Sequence, residues 1–158
     1  MMEPHFFFVL FFCSLAFGCT MGAYFTTAEY RIRHMEPLVT GTCHCPFCGH
    51  KLAVYHQIPI ISWLFLRGRC HYCHRPIPVR YPLIEGSFLL FYGLSFILFR
   101  KSPLFLILIW AAFVSAVLAV RCRNCLPGLL KGLLLFLAYH IVYGSVILCV
   151  YAALGLFP

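Results

Sequence analysis

Four apolar runs constrain this chain more than anything else in it. They extend from His5 or Phe6 to about Phe25, from about Leu83 to Phe99, from about Pro103 to Val120, and from about Leu133 to Phe157. Each approaches the length a helix needs to cross a bilayer, about 20 residues. The third run is uncharged, and His140 and several tyrosines are the main interruptions of the fourth. Between the second and third, Arg100-Lys101-Ser102-Pro103 supplies a tight turn, proline being suited to a helix's first turn. With 63% hydrophobic and 10% charged residues over 158 positions, a soluble domain has no means of hiding this surface. The class is therefore an all-α integral membrane protein of about four transmembrane helices, with one polar insert after the first.

The first run reads as a retained helix. It lacks a basic n-region and an A-x-A site, and no Lys or Arg precedes the "LAFGC" that ends at Cys19. Gly18 and Gly22 lie one helical turn apart and either form a close-packing face or are an incidental pair. The formal charge of +8 would point to nucleic acid in a soluble protein. Here it follows the positive-inside bias, so the expected partner is the lipid bilayer and no nucleic acid. Residues 30–82 hold Arg31, Arg33, Lys51, Arg67, Arg69, Arg75 and Arg80, and the loop after the third run adds Arg121, Arg123 and Lys131. The other side has only Arg100 and Lys101. This asymmetry places the insert in the cytoplasm and both termini outside. The expected divisions are residues 1–29 for the first helix, 30–82 for the insert and 83–158 for a three-helix membrane region.

The insert carries two Cys-x-x-C pairs, Cys45/Cys48 and Cys70/Cys73, in the spacing C-x2-C-x21-C-x2-C. In a reducing compartment such pairs hold metal more readily than disulfides. Two knuckles aimed at one point give the four-thiolate donor set that suits a structural Zn2+. An insert of about 50 residues also needs such a staple, having little core of its own. Cys43, His44, His71 and His74 remain alternative ligands, and free thiols or a redox pair remain the plainer reading. Four thiolates close the coordination shell, which makes a site there structural.

"CPFC", "IPIISWL", "LRGRCHYC" and "PIPVRYPLIE", in that order after a spanning helix, resemble the N-terminal domain of bacterial prepilin peptidases. These are the A24-family leader peptidase/N-methyltransferases of type IV pilus and type II secretion systems. The likeness covers roughly residues 10–100. It implies a multi-pass protein of the bacterial plasma membrane whose partners are prepilin-like substrates or a separate peptidase subunit. It also implies two catalytic aspartates, one opening a D-x6-P-D motif and one in G-x-G-D. This chain departs from that pattern, because it contains no aspartate at all. In "VRCRNCLPGLL" Pro127 takes the motif's proline, while Val120 and Gly128 stand where the two acids belong. Peptidase activity of this chain alone is not expected.

The family's other activity, N-methylation with S-adenosylmethionine, is what the resemblance leaves open. No catalytic residue carries over to this chain by motif, and Glu85, at the membrane edge, is the acid to test first. Its plainer reading is an ion pair with Arg80 or a favourable charge at a helix N-terminus. His140 reads as a packed, hydrogen-bonded histidine before a proton relay. Cys122 and Cys125 form a third Cys-x-x-C with only two ligands to offer, and read first as incidental thiols. His56-Gln57 occupies a loop where many relatives show an acid. Three functions remain: a non-proteolytic partner in pilin processing, an N-methyltransferase, and one half of a split peptidase.

Overall fold

A computed structural model of the chain describes residues 4–99, 102–122 and 124–153. Among these it is helical: α1 (Pro4–Arg33), a 3-10 turn at Val54–Gln57, the short α2 (Ile61–Phe65), α3 (Arg80–Phe99), α4 (Pro103–Cys122) and α5 (Leu126–Ala153). Among the described residues, three helices are long and apolar enough to cross a membrane: His5–Arg33, Arg80–Phe99 and Leu126–Val150. α4 is as long as α3, at 20 residues, and Leu106–Cys122 within it is a further apolar stretch. The Arg100-Lys101 part of the predicted turn and the end of the fourth predicted run, residues 154–157, lie outside the described residues.

α1 continues well past the predicted end of its span near Phe25. Phe25, Ala28, Glu29 and Ile32 are all buried, so the i, i+3, i+4, i+7 stripe carries the helix onward. It stops where Glu36 N–H bonds to Arg31 C=O (2.9 Å) and Met35 N–H to Ile32 C=O (3.4 Å). Met35 takes φ +57° at the position usually held by glycine in this C-terminal motif. α5 likewise begins before the predicted Leu133, because Leu129, Gly132 and Phe136 continue its buried stripe toward the N-terminus.

α1 and α3 run antiparallel in the closest pairing of the bundle. Phe7 and Phe11 meet Phe96, Phe17 meets Tyr92, and Phe25 meets Phe88. Their approach depends on absent side chains. A Cβ on Gly18 would lie 2.7 Å from Tyr92 Cβ, and one on Gly22 would lie 2.8 Å from Glu85 Cα. The two glycines are thus a packing face. Across the centre, Trp110 Nε1–H donates to Ser95 Oγ (2.6 Å), whose hydroxyl donates to Tyr92 C=O (3.1 Å). His140 Nδ1 lies 2.7 Å from the Phe136 carbonyl, which only accepts, so Nε2 is left to accept the Tyr92 hydroxyl at 2.7 Å. This chain of bonds ties α3, α4 and α5 and accounts for a histidine that is 2% exposed.

A side chain at position 22 has backbone to displace. Gly22→Val should therefore cost about 1–3 kcal/mol of stability, as overpacking does. Gly86 has nothing within 4 Å of its would-be Cβ, and Gly86→Ala should be neutral or gain up to about 1 kcal/mol of helix propensity. Thermal unfolding of the two variants in one detergent compares them directly.

Candidate metal centre and adjoining cavity

The two Cys-x-x-C knuckles are built as copies of one another. Cys45 N–H bonds to His50 C=O (3.0 Å) as Cys70 N–H bonds to Arg75 C=O (2.9 Å). Leu52 N–H returns to Cys43 C=O (2.9 Å) as Ile77 N–H returns to Gly68 C=O (2.7 Å). Each loop is closed by one isolated bridge, His44 with Lys51 and Arg69 with Pro76. Gly49 (φ +68°) and His74 (φ +57°) occupy the same left-handed position. This repeat is present in the sequence, where Phe47 corresponds to Tyr72 as Cys45 does to Cys70, but motif spacing alone does not display it. It also settles the register, since Cys43 corresponds to Gly68 and stands outside the knuckle.

Cys45, Cys48, Cys70 and Cys73 bring their sulfurs within 4.8 Å of one another. Cys43, His44, His71 and His74 are not among that group. A tetrahedron with metal–sulfur bonds of about 2.3 Å has edges of about 3.8 Å, and Cys45 Sγ lies 3.8 Å from Cys73 Sγ. The donor set fits a metal ion. Burial pushes the Cys70 thiol up, but the backbone N–H groups of Cys73 and Tyr72, with the Cys73 and Cys45 thiols, bring it down to about 7. At Cys73 the Arg75 backbone pulls down, while burial and the three neighbouring thiols prevail and raise it to about 11.

Beneath the knuckles a cavity of about 680 Å³ separates the insert from the bundle. Tyr24 and Thr27 of α1, Glu85 of α3 and Tyr139 of α5 line its bundle side. Trp63 and the first knuckle line the other. Glu85 does not pair with Arg80. Its Oε2 accepts the N–H of Ile60 at 2.7 Å, while Arg80 Nη2 reaches Glu29 Oε2 at 2.9 Å. Arg80 opens α3 and lies level with α1, whereas Glu85 is more than a turn deeper. Ile60 is a β-branched residue at φ +61°, ψ −53°, with Ile61 N–H bonded back to Pro59 C=O. This is the tight three-residue turn that costs strain and needs outside support. Glu85 supplies that support.

Glu29 is 1% exposed, and a charge so placed needs partners. Arg80 is aligned with it. Arg33 Nη2 stands 3.0 Å from Oε1 without hydrogen-bond alignment, and also donates to the Arg121 carbonyl of α4 (3.1 Å). Arg31, also buried, donates to the carbonyls of Pro37, Leu38 and Gly41 and pins the loop that leaves α1. Sequence reading gives neither Glu29 nor Arg31 this structural role. The signal available was the continued helical period around Phe25, which turns both side chains inward. His56 sits with its ring 5.0 Å from that of His71, and burial together with His71 holds it below the ordinary histidine range. Cys122 is buried and Cys125 half-buried at the α4–α5 corner, and they are not part of a metal-ligand group among the described residues. Val120 is 76% exposed, whereas the Cβ space of Gly128 abuts Ile32 of α1.

A helical chain with membrane-length helices and a paired-knuckle, four-cysteine insert after the first helix is thus the class these features define. The Bacterial Peptidase A24 N-terminal domain family matches residues 16–99, just over half of the chain. The chain belongs to that family. It is 44% identical over 68 residues to a prepilin leader peptidase/N-methyltransferase of Myxococcus xanthus, covering 43% of this chain and 20% of that protein. Proteins of the same name from Aeromonas hydrophila (50% over 48 residues; 30% and 16%) and Burkholderia pseudomallei (54% over 41 residues; 26% and 13%) are similar. The chain spans a fifth or less of the length of these curated relatives. No solved structure matches it.

Cys45→Ser or Cys70→Ser should leave the purified protein well below one metal ion per chain by elemental analysis, with Cys43→Ser keeping a full equivalent. Arg80→Met should cost about 1–3 kcal/mol, the range for a buried charged group that loses one hydrogen-bond partner, since Arg80 is half-exposed and Arg33 stays beside Glu29. Adding Glu29→Gln to that variant should restore much of the loss in chemical denaturation.

Proposed function

We propose that this chain is a prepilin-peptidase-like membrane protein that binds and positions prepilin-like substrates at the membrane edge and does not itself cut them. The observation that carries this reading is a match to the family's N-terminal domain, with a cavity between insert and bundle, in a sequence without an aspartate. Intramembrane aspartyl proteolysis needs two carboxyls sharing a proton, and Val120 and Gly128 hold the positions that match the first motif. The exposure of Val120 and the packing of Gly128 on α1 add support.

In this reading the protein lies in the bacterial plasma membrane, where pilus assembly and secretion draw their substrates. About four spans place residues 30–82 in the cytoplasm and both termini outside, as the ten basic residues on one side favour. The boundaries are 1–29, 30–82 and 83–158. Cys45, Cys48, Cys70 and Cys73 hold a structural Zn2+, closing its coordination shell with thiolates. A separate peptidase subunit is the partner that would complete the pathway.

A second reading, N-methyl transfer, is favoured by one feature. The cavity's volume is that of a ligand pocket, and Glu85 lines it beside Tyr24, Tyr139 and Trp63. Bound S-adenosylmethionine would supply the methyl group. Glu85 would hold the substrate's amine and take up its proton.

Mass spectrometry of a prepilin co-expressed with the full chain separates these readings. Positioning alone predicts an uncut, unmethylated pilin that co-purifies with this protein. Cleavage would overturn the proposal, and a mass gain of one methyl would establish the second reading. In that event Glu85→Gln, which still accepts the Ile60 N–H, should abolish the gain while leaving the fold intact.

A further inference from the structure

Between Lys51 and Arg67 the insert holds "LAVYHQIPIISWLFL", fifteen residues with no Lys, Arg, Asp or Glu. That is short of the roughly 20 needed to span. Runs of this length belong either in a protein core or at a membrane interface. A core is not where this one sits, because Val54 and Phe65 are each 83% exposed, and Leu64 and Ile61 more than half. Tyr55 and Ile58 are exposed as well and line one shallow concavity with Ile61 and Phe65, so the 3-10 turn and α2 share a largely apolar surface.

The depth of this surface is fixed by a hydrogen bond. Ile60 N–H is held by Glu85 of α3, five residues past Arg80, or about 7.5 Å along the axis at about 1.5 Å per residue. The twenty residues of α3 span about 30 Å, the thickness of the hydrocarbon core. Arg80 then marks the boundary, and Ile60 lies within the about 5–10 Å to which interfacial helices sink. Charge agrees with depth. Lys51, Arg67 and Arg69 are exposed at the two ends of the run, and no acid occurs between Glu36 and Glu85. Anionic headgroups are drawn to such flanks.

We propose that residues 54–66 form a monotopic membrane anchor, seating Val54, Ile61, Leu64 and Phe65 in the headgroup–acyl boundary of the leaflet from which the insert rises. This rests on α1 and α3 crossing the bilayer. The strained turn at Ile60 is the point at which the chain dips, and Glu85 holds it at that depth.

The full chain, reconstituted in phosphatidylethanolamine–phosphatidylglycerol vesicles, tests this with a benzophenone side chain introduced at position 65 or, separately, at position 94. Both Phe65 and Leu94 are largely exposed, so neither replacement disturbs packing. After irradiation, mass spectrometry should find lipid adducts at both positions. Adducts at position 94 but not at 65 would overturn the anchor and leave the spanning helices standing. Adducts at neither would remove the spanning premise, and the anchor with it. A cross-link from position 65 to a second protein chain would assign the surface to a protein partner instead.

Discussion

How closely α3 can approach α1 determines almost everything on the insert's side of this molecule. Gly18 and Gly22 bring the backbone of α3 against α1, and that contact sets the height of each residue that follows. It places Arg80 level with Glu29, so a buried carboxylate meets a guanidinium at 2.9 Å and not bare hydrocarbon. It also sets Glu85 at the depth where Ile60 turns. Small residues matter more here than in a soluble bundle, because lipid is as apolar as leucine and offers no hydrophobic drive to bring helices together.

The insert is held to this pair at two levels. Near its free end the paired knuckles supply a sulfur cluster that substitutes for a core. Near the bundle, Glu85 and Arg31 use side-chain bonds to fix backbone that has no secondary structure to satisfy it: Glu85 takes an N–H, and Arg31 caps three carbonyls. A loop left unsatisfied at that depth would be destabilised by each bare polar group. The cavity between the two levels is therefore framed by fixed elements.

Much of this is legible in the sequence, and what is not shares one cause. Helix positions follow from apolar run length, and the grouping of four thiols follows from the spacing of Cys45, Cys48, Cys70 and Cys73. Run length fails at the ends, however: α1 and α5 extend beyond their apolar runs because burial there is one-sided, carried by stripes such as Phe25, Ala28, Glu29 and Ile32. Sequence proximity also misleads about the partner of Glu85. Arg80 is near it along the chain, but the antiparallel pairing hands Arg80 to Glu29 on another helix. Pairings between elements, such as Tyr92 with His140 or Trp110 with Ser95, leave no periodic trace in a single chain, whereas the repeat of the knuckles leaves one that is there to find.

The carboxylates bear on the chemistry as well as the fold. A proton-sharing dyad needs two carboxyls set against each other. This chain has four glutamates and no aspartate, and the two near the site face different elements. Glu29 is bound between Arg80 and Arg33, while Glu85 accepts the backbone of Ile60. Turning both toward one water would leave Arg80 and a strained turn without their acceptors, and Glu29 would have to leave its buried position. Of the two, only Glu85 also lines the cavity. A single carboxylate is suited to binding a cation or taking one proton, which is the chemistry of holding an amine. Glu29 thus serves the bundle's architecture alone, whereas Glu85 both braces the Ile60 turn and faces the cavity.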